Sequence, residues 1–149
     1  MIKRSKMVIP SLSDEVRRVY VYLPESYKKN KDQYYPVLYM FDGHNVFYDS
    51  HATYGKSWGM KTYMDNSKTD LIIAAVECSH GINDERLSEY SPYDFFDEDF
   101  GNVKGRGKKT MDWFVKVFKP FIDTHFRTLK DREHTYIAGS SMGGLMAVY

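Results

Sequence analysis

Gly139, Ser141 and Gly143 stand at G-x-S-x-G spacing, and Gly144 follows directly. A serine in such a pattern is a candidate nucleophile. The spacing suits a sharp strand-to-helix turn that holds the central serine in a strained backbone conformation, its hydroxyl clear of the sheet. Side chains two residues before and after that serine would collide, so both positions must be small. The helix expected to start at Met142 would aim its first N–H groups at the space above Ser141, where negative charge could develop. An acyl-transfer reaction needs that combination of nucleophile and fixed donors.

The turn requires a strand before it and a helix after it, and the flanking residues fit both. Tyr136–Ala138 is a short apolar run ending at a glycine, and Leu145–Tyr149 is compatible with a helix. Val37–Phe41 and Leu71–Val76 are further apolar runs without alternation. Bounded by Pro36, Asp42-Gly43 and Asp70, they read as parallel strands covered on both faces. Val16–Leu23 alternates instead, with Val19, Val21 and Leu23 on one face and Arg18, Tyr20 and Tyr22 on the other. That pattern predicts a half-buried antiparallel strand near an edge. Helices are expected over 57–67 and about 108–126. In the second, Met111, Phe114, Val117, Phe118, Phe121, Ile122 and His125 share one stripe, and Pro120 predicts a kink. Alternating strands and helices indicate an α/β sheet with sites beyond the carboxyl ends of the strands. Asp42-Gly43-His44, Glu77-Cys78 and Gly139-Ser140-Ser141 all lie at such ends.

Three stretches together resemble the putative esterase family of α/β-hydrolases, which includes esterase D-like, enterochelin and feruloyl esterases. They are Tyr35–Phe47 (YPVLYMFDGHNVF), Arg86–Pro92 (RLSEYSP), and Lys119–Arg127 (KPFIDTHFR) running on to Gly144. The resemblance implies an α/β-hydrolase fold, a mostly parallel sheet flanked by helices, of which this chain would be the N-terminal portion. It implies Ser141 as nucleophile. It also implies an oxyanion hole made by the backbone N–H groups of Met142, after the serine, and His44, after Asp42-Gly43. The expected reaction is hydrolysis of a carboxylic ester or thioester through an acyl-enzyme, with a small-molecule ester as substrate and no cofactor.

Other signals weigh less. Gly101–Thr110 approaches a phosphate-loop pattern, but Arg106 stands where a glycine is required, and no strand precedes it. It reads as a mobile basic loop. Asp97–Asn102 lacks the full calcium-loop pattern and reads as a solvated acidic turn. The five histidines show no i, i+3 or i+4 pairing among themselves, so no metal site is expected. Cys78, the single cysteine, reads as a core or rim thiol. His80 and Trp58 could line the cleft, but a surface histidine and a packed aromatic are the plainer readings. For Arg86 an ion pair is favoured over a substrate contact.

Composition sets the outer bounds. The 149 residues carry a formal net charge of +1, which gives no field favouring nucleic acid or an anionic membrane. No segment approaches the roughly 18 apolar residues of a membrane span. The N-terminus has no apolar run of the secretory kind, so a cytoplasmic location is expected. In the family's chain order the triad acid and base follow the serine, yet residues 142–149 contain neither an acid nor a histidine. The chain is therefore expected to be a single domain, incomplete at its C-terminus and ending in the helix after the turn. Alone it should be inactive, and it should either pair with a missing C-terminal half or self-associate. The alternative is a non-catalytic remnant of this fold that serves as a binding or interaction module.

Overall fold

In the computed structural model, residues 1–81 and 85–149 are described. Strands β1 (Ile2–Ile9), β2 (Ser13–Tyr22), β3 (Val37–Met40), β4 (Ile72–Val76) and β7 (Thr135–Ala138) form one sheet, ordered β1-β2-β4-β3-β7. Strands β5 (Phe95–Asp97) and β6 (Gly101–Val103) form a separate hairpin. The sheet is mixed. β4-β3-β7 is parallel, while β1-β2 and β2-β4 are antiparallel.

Alternate residues of the central strands feed two cores. Val19, Val21, Val37, Tyr39, Ile72, Ala74 and Val76 pack with Trp113, Phe114, Phe118, Ile122 and Met146. Tyr20, Tyr22, Met40, Ile73 and Ala75 pack on the other face with Val46, Phe47 and Met64. Those partners come from α5 (Gly107–Trp113), the π-helical segment Phe114–Phe118, α6 (Lys119–His125) and α7 (Met142–Val148) on the first face. On the second they come from α2 (Gly43–Val46) and α3 (Met60–Ser67). Two one-turn helices, α1 (Ser26–Lys29) and α4 (Glu85–Glu89), complete the set. Each large apolar side chain fully buried in these layers contributes roughly 1.5–3 kcal/mol. Among the described residues, no helix is long and apolar enough to cross a membrane.

Several expectations change here for physical reasons. β2 is antiparallel and near an edge as expected, one strand in, but it is buried on both faces rather than half-buried. Its Tyr20 and Tyr22 are buried because α2 and α3 cover the face expected to be wet. The edge belongs to β1, whose mixed Lys, Arg and apolar pattern left it unread. The first long helix begins at Met60, not 57. The second is broken by a π-turn at Phe114–Phe118, and Pro120, which has no N–H to donate, sits in the first turn of α6. The extra residue in that turn rotates the stripe. Phe114, Phe118 and Ile122 stay buried, whereas Val117 and His125 are exposed and Trp113 joins the core. Gly101–Thr110 is not a loop throughout: it contributes β6 and the start of α5. Lys104 and Arg106 between them are tied to Asp94, Ser88 Oγ and the Leu12 carbonyl.

Candidate active site

The parallel pairing of β3 with β7 decides which loops meet. Met40 is level with Ala138, and the next N–H, that of Phe41, donates to the Ala138 carbonyl at 3.2 Å. Both strands therefore end at the same height, and Asp42-Gly43-His44 leaves the sheet beside Ser140-Ser141-Met142. The approach is tight. A Cβ built on Gly139 would lie 2.2 Å from the backbone C and O of Gly143, so the turn closes only with glycine at that position. A Cβ on Gly43 would lie 2.9 Å from the Val76 backbone, which puts the end of β4 against the same loop.

Two non-glycine residues here have positive φ. Ser141 has φ 55°, ψ −119°, and Asp42 has φ 55°, ψ 48°. Such conformations cost of order 1–3 kcal/mol each and persist only where the surroundings impose them. Ser141 is exposed and stands between the end of β7 and the first residue of α7. His44 and Met142 each lie in the first turn of a helix, where N–H groups have no intrahelical acceptor. Neither N–H donates a hydrogen bond to a described residue.

One guanidinium ties the two loops together. Arg86, on α4, donates from Nε to Asp42 Oδ1 at 2.8 Å and from Nη2 to Oδ2 at 2.7 Å. Its Nη2 also lies 3.4 Å from the Ser140 carbonyl, and its charge sits over the Tyr90 ring. The Tyr90 hydroxyl accepts the Asp42 N–H at 3.1 Å. Asp42 is 1% exposed, so its carboxylate depends on these partners. The ion-pair reading of Arg86 holds, and its partner is the residue that precedes Gly43-His44. Below it, a buried bidentate pair of Arg17 with Glu89 fixes α4, and Glu89 also accepts the Ser79 N–H at 3.1 Å. The sequence carried no sign of this arginine, since Arg17 sits beside Arg18 in a strand and its acid is far along the chain.

A cleft of ≈ 690 Å³ opens over these loops, lined among others by Asp42, His44, Trp58, His80, Arg86 and Ser141. Trp58 is 39% exposed and precedes α3 rather than heading it. His80 lines the cleft, with Nε2 3.8 Å from Glu77 Oε1. Burial alone would raise the Glu77 pKa, but the His80 and Arg18 partners outweigh it and hold the carboxylate at about 2. The contact with Glu77 in turn raises the His80 pKa. Burial lowers that of His44 and pushes the Cys78 thiol far up, the wrong direction for a nucleophile.

The five histidines are all engaged away from Ser141. His44 pairs with Thr53, His51 with Tyr20 and His80 with Glu77. His125 bonds the Phe121 carbonyl, and His134 bonds Asp131. Among the described residues the serine therefore has neighbouring N–H groups but no histidine partner.

Comparison with known proteins identifies the family and the fold. A family model described as putative esterase matches residues 10–149. Among curated proteins, the uncharacterized protein YbbA of Bacillus subtilis is 22% identical over 135 residues, 89% of this chain and 50% of that protein. Among solved structures, an IroE-like serine hydrolase from Shewanella oneidensis superimposes with a TM-score of 0.71 at 21% identity. The superposition covers 99% of this chain and 45% of that one. A ferulic acid esterase matches with a TM-score of 0.64 at 26% identity, covering 99% and 52%. The chain thus spans about half the length of the relatives it matches. The shared architecture is the α/β-hydrolase fold, here a mixed sheet flanked by helices.

Proposed function

This chain belongs to the putative esterase family, and we propose that it is the nucleophile-bearing portion of a serine hydrolase acting on carboxylic esters or thioesters. The observation that carries this reading is Ser141, exposed at φ 55° at the end of a parallel strand and within the same cleft as the Asp42–His44 loop. In the proposed reaction the Ser141 oxygen attacks the substrate carbonyl. The His44 and Met142 N–H groups stabilise the resulting oxyanion, each such donor being worth roughly 3–4 kcal/mol in hydrolases where one has been removed. A general base takes the serine proton and passes it to the leaving alcohol or thiol. Water, deprotonated by the same base, then releases the acid and restores the serine. Arg86 acts through Asp42, holding the His44 loop against the Ser140 carbonyl. No cofactor takes part.

The base and its carboxylate partner are assigned to polypeptide other than residues 1–149, because among the described residues no histidine hydrogen-bonds Ser141. The open edge of the sheet supports the same reading. Among the described residues β7 pairs only with β3, and Tyr136 and Ile137 are 50% and 37% exposed. Beside them is a small apolar groove lined by Tyr39, Phe114 and Ile137. An open strand edge of this kind invites pairing with more chain, either the rest of the domain or a second copy. Residues 1–149 are accordingly read as the N-terminal portion of one α/β-hydrolase domain.

The test is turnover of a short-chain nitrophenyl ester by residues 1–149 and by an intact enzyme that carries them, each beside Ser141→Ala. The reading requires Ser141-dependent hydrolysis by the intact enzyme and almost none by the 149 residues. Hydrolysis by the shorter chain that depends on Ser141 would overturn the placement of the base. An intact protein with no hydrolysis would favour a non-catalytic binding module.

A further inference from the structure

The proposed reaction uses only the backbone of His44, and its side chain has chemistry left over. The imidazole is 4% exposed. Its Nε2 lies 3.1 Å from Thr53 Oγ1, and its Nδ1 has no hydrogen-bond partner among the described residues. Leaving a buried polar atom unpaired is costly, and native structures seldom do so without a function. In the tautomer whose Nε2 donates to Thr53 Oγ1, Nδ1 keeps a lone pair of the kind that binds a metal.

Two donors from the loop after β4 approach the same ring. One nitrogen of His44, a carboxylate oxygen of Glu77 and a nitrogen of His80 all lie within 4.8 Å of one another. The two imidazoles face edge to face, with centroids 4.8 Å apart and planes at 75°. Glu77 is held in place by the Arg18 N–H at 2.8 Å and Arg18 Nε at 2.6 Å. Each carboxylate oxygen has two lone pairs, so these bonds orient the group and leave it able to coordinate. Zinc–nitrogen and zinc–oxygen bonds of about 2.0–2.2 Å put tetrahedral ligands roughly 3.4 Å apart. Closing to that spacing from separations of up to 4.8 Å asks for at most about 1.4 Å of movement, and His80, half exposed, is the member placed to make it.

We propose that His44, Glu77 and His80 form a binding site for a divalent transition-metal ion of the zinc class at the rim of the cleft. Two imidazoles and a carboxylate suit zinc, whereas magnesium and calcium prefer oxygen alone. The ion joins the loop after β3 to the loop after β4, and the site does not depend on Ser141 being a nucleophile. A second donor set, Asp42 and Cys78, also reaches His44. It fits less well. Asp42, His44 and Cys78 are all buried, so none has room to close on an ion as the half-exposed His80 has. Spacing along the chain hid the site, because His44 is far in sequence from Glu77 and His80 and only the parallel β3–β4 pairing brings them level.

The test is a zinc titration of the chelator-stripped 149-residue chain against a chromogenic competitor, beside His80→Ala and Cys78→Ala. Counting ions per chain makes the readout indifferent to self-association. Wild type and Cys78→Ala should bind one equivalent, and His80→Ala should bind at least tenfold more weakly. Magnesium should not compete. Absence of stoichiometric binding, or unchanged binding by His80→Ala, would overturn the proposal. Loss in Cys78→Ala with retention in His80→Ala would do so too, by moving the ion to the Asp42 side.

Discussion

β4 and β7 look alike as sequence, each a short apolar run ending where a functional loop begins, yet the structure treats them differently. Every residue of β4 is buried, because β2 and β3 flank it and helices cover both faces. β7 has β3 on one side and nothing described on the other, and half of Tyr136 is in water. The two strands also divide the chemistry. β3 and β4 support the loops of Asp42, His44, Glu77 and His80, whereas β7 supports Ser141. The His44 donor therefore sits on the well-packed side of the site, and the proposed nucleophile with the Met142 donor on its open side. Arg86 bridges the two.

Breaking that bridge should have the largest effect. Arg86→Met leaves Asp42 buried without a cation, a loss of about 3–5 kcal/mol for a fully buried pair. The low end is expected, since 26% of the Arg86 side chain is exposed. In the intact hydrolase kcat should fall on the order of 10²–10³, as for loss of one oxyanion donor, with KM changed much less. Arg86→Lys keeps the charge but not the two-pronged geometry. It should recover part of the thermal stability and little of kcat, a split that a merely structural role would not give.

Matched truncations sharpen the contrast between the strands. Ile73→Ala in β4 should cost about 2–5 kcal/mol in chemical denaturation, because Ile73 is 0% exposed. Ile137→Ala in β7 should cost about 0.5–1 kcal/mol in residues 1–149. A larger loss at Ile137 would mean that the edge is covered in solution, by another copy if the mass in solution doubles.

The smallest effect is expected at Cys78. Its thiol is buried and its pKa is pushed up by that burial, then by Asp42. Alkylation by iodoacetamide at neutral pH should be slow in the folded chain and ordinary in denaturant. Rapid native labelling would show that the floor of the cleft opens.

What could be read from the sequence was what local pattern determines. The apolar runs point to β3, β4 and β7, and the glycines about Ser141 point to its sharp, strained turn. What could not be read depended on neighbours distant in the chain. β1 alternates charged and apolar residues because an edge strand is half solvated, and so it resembles a loop. Tyr20 and Tyr22 look solvent-facing until α2 and α3 cover them. The π-turn before Pro120 re-aims a helical stripe that a constant period places wrongly. The Arg86–Asp42 pair, the Arg17–Glu89 pair and the meeting of His44 with Glu77 and His80 are all long-range, so no spacing rule reaches them.

The central claim is that Ser141, on the open side of the site, becomes acylated. Mass spectrometry of the intact enzyme, acid-quenched during turnover of a nitrophenyl ester and digested, measures this directly. The account predicts one acyl group, on the peptide containing Ser141, and none in Ser141→Ala. An acyl group on another residue, or undiminished hydrolysis by Ser141→Ala, would contradict it.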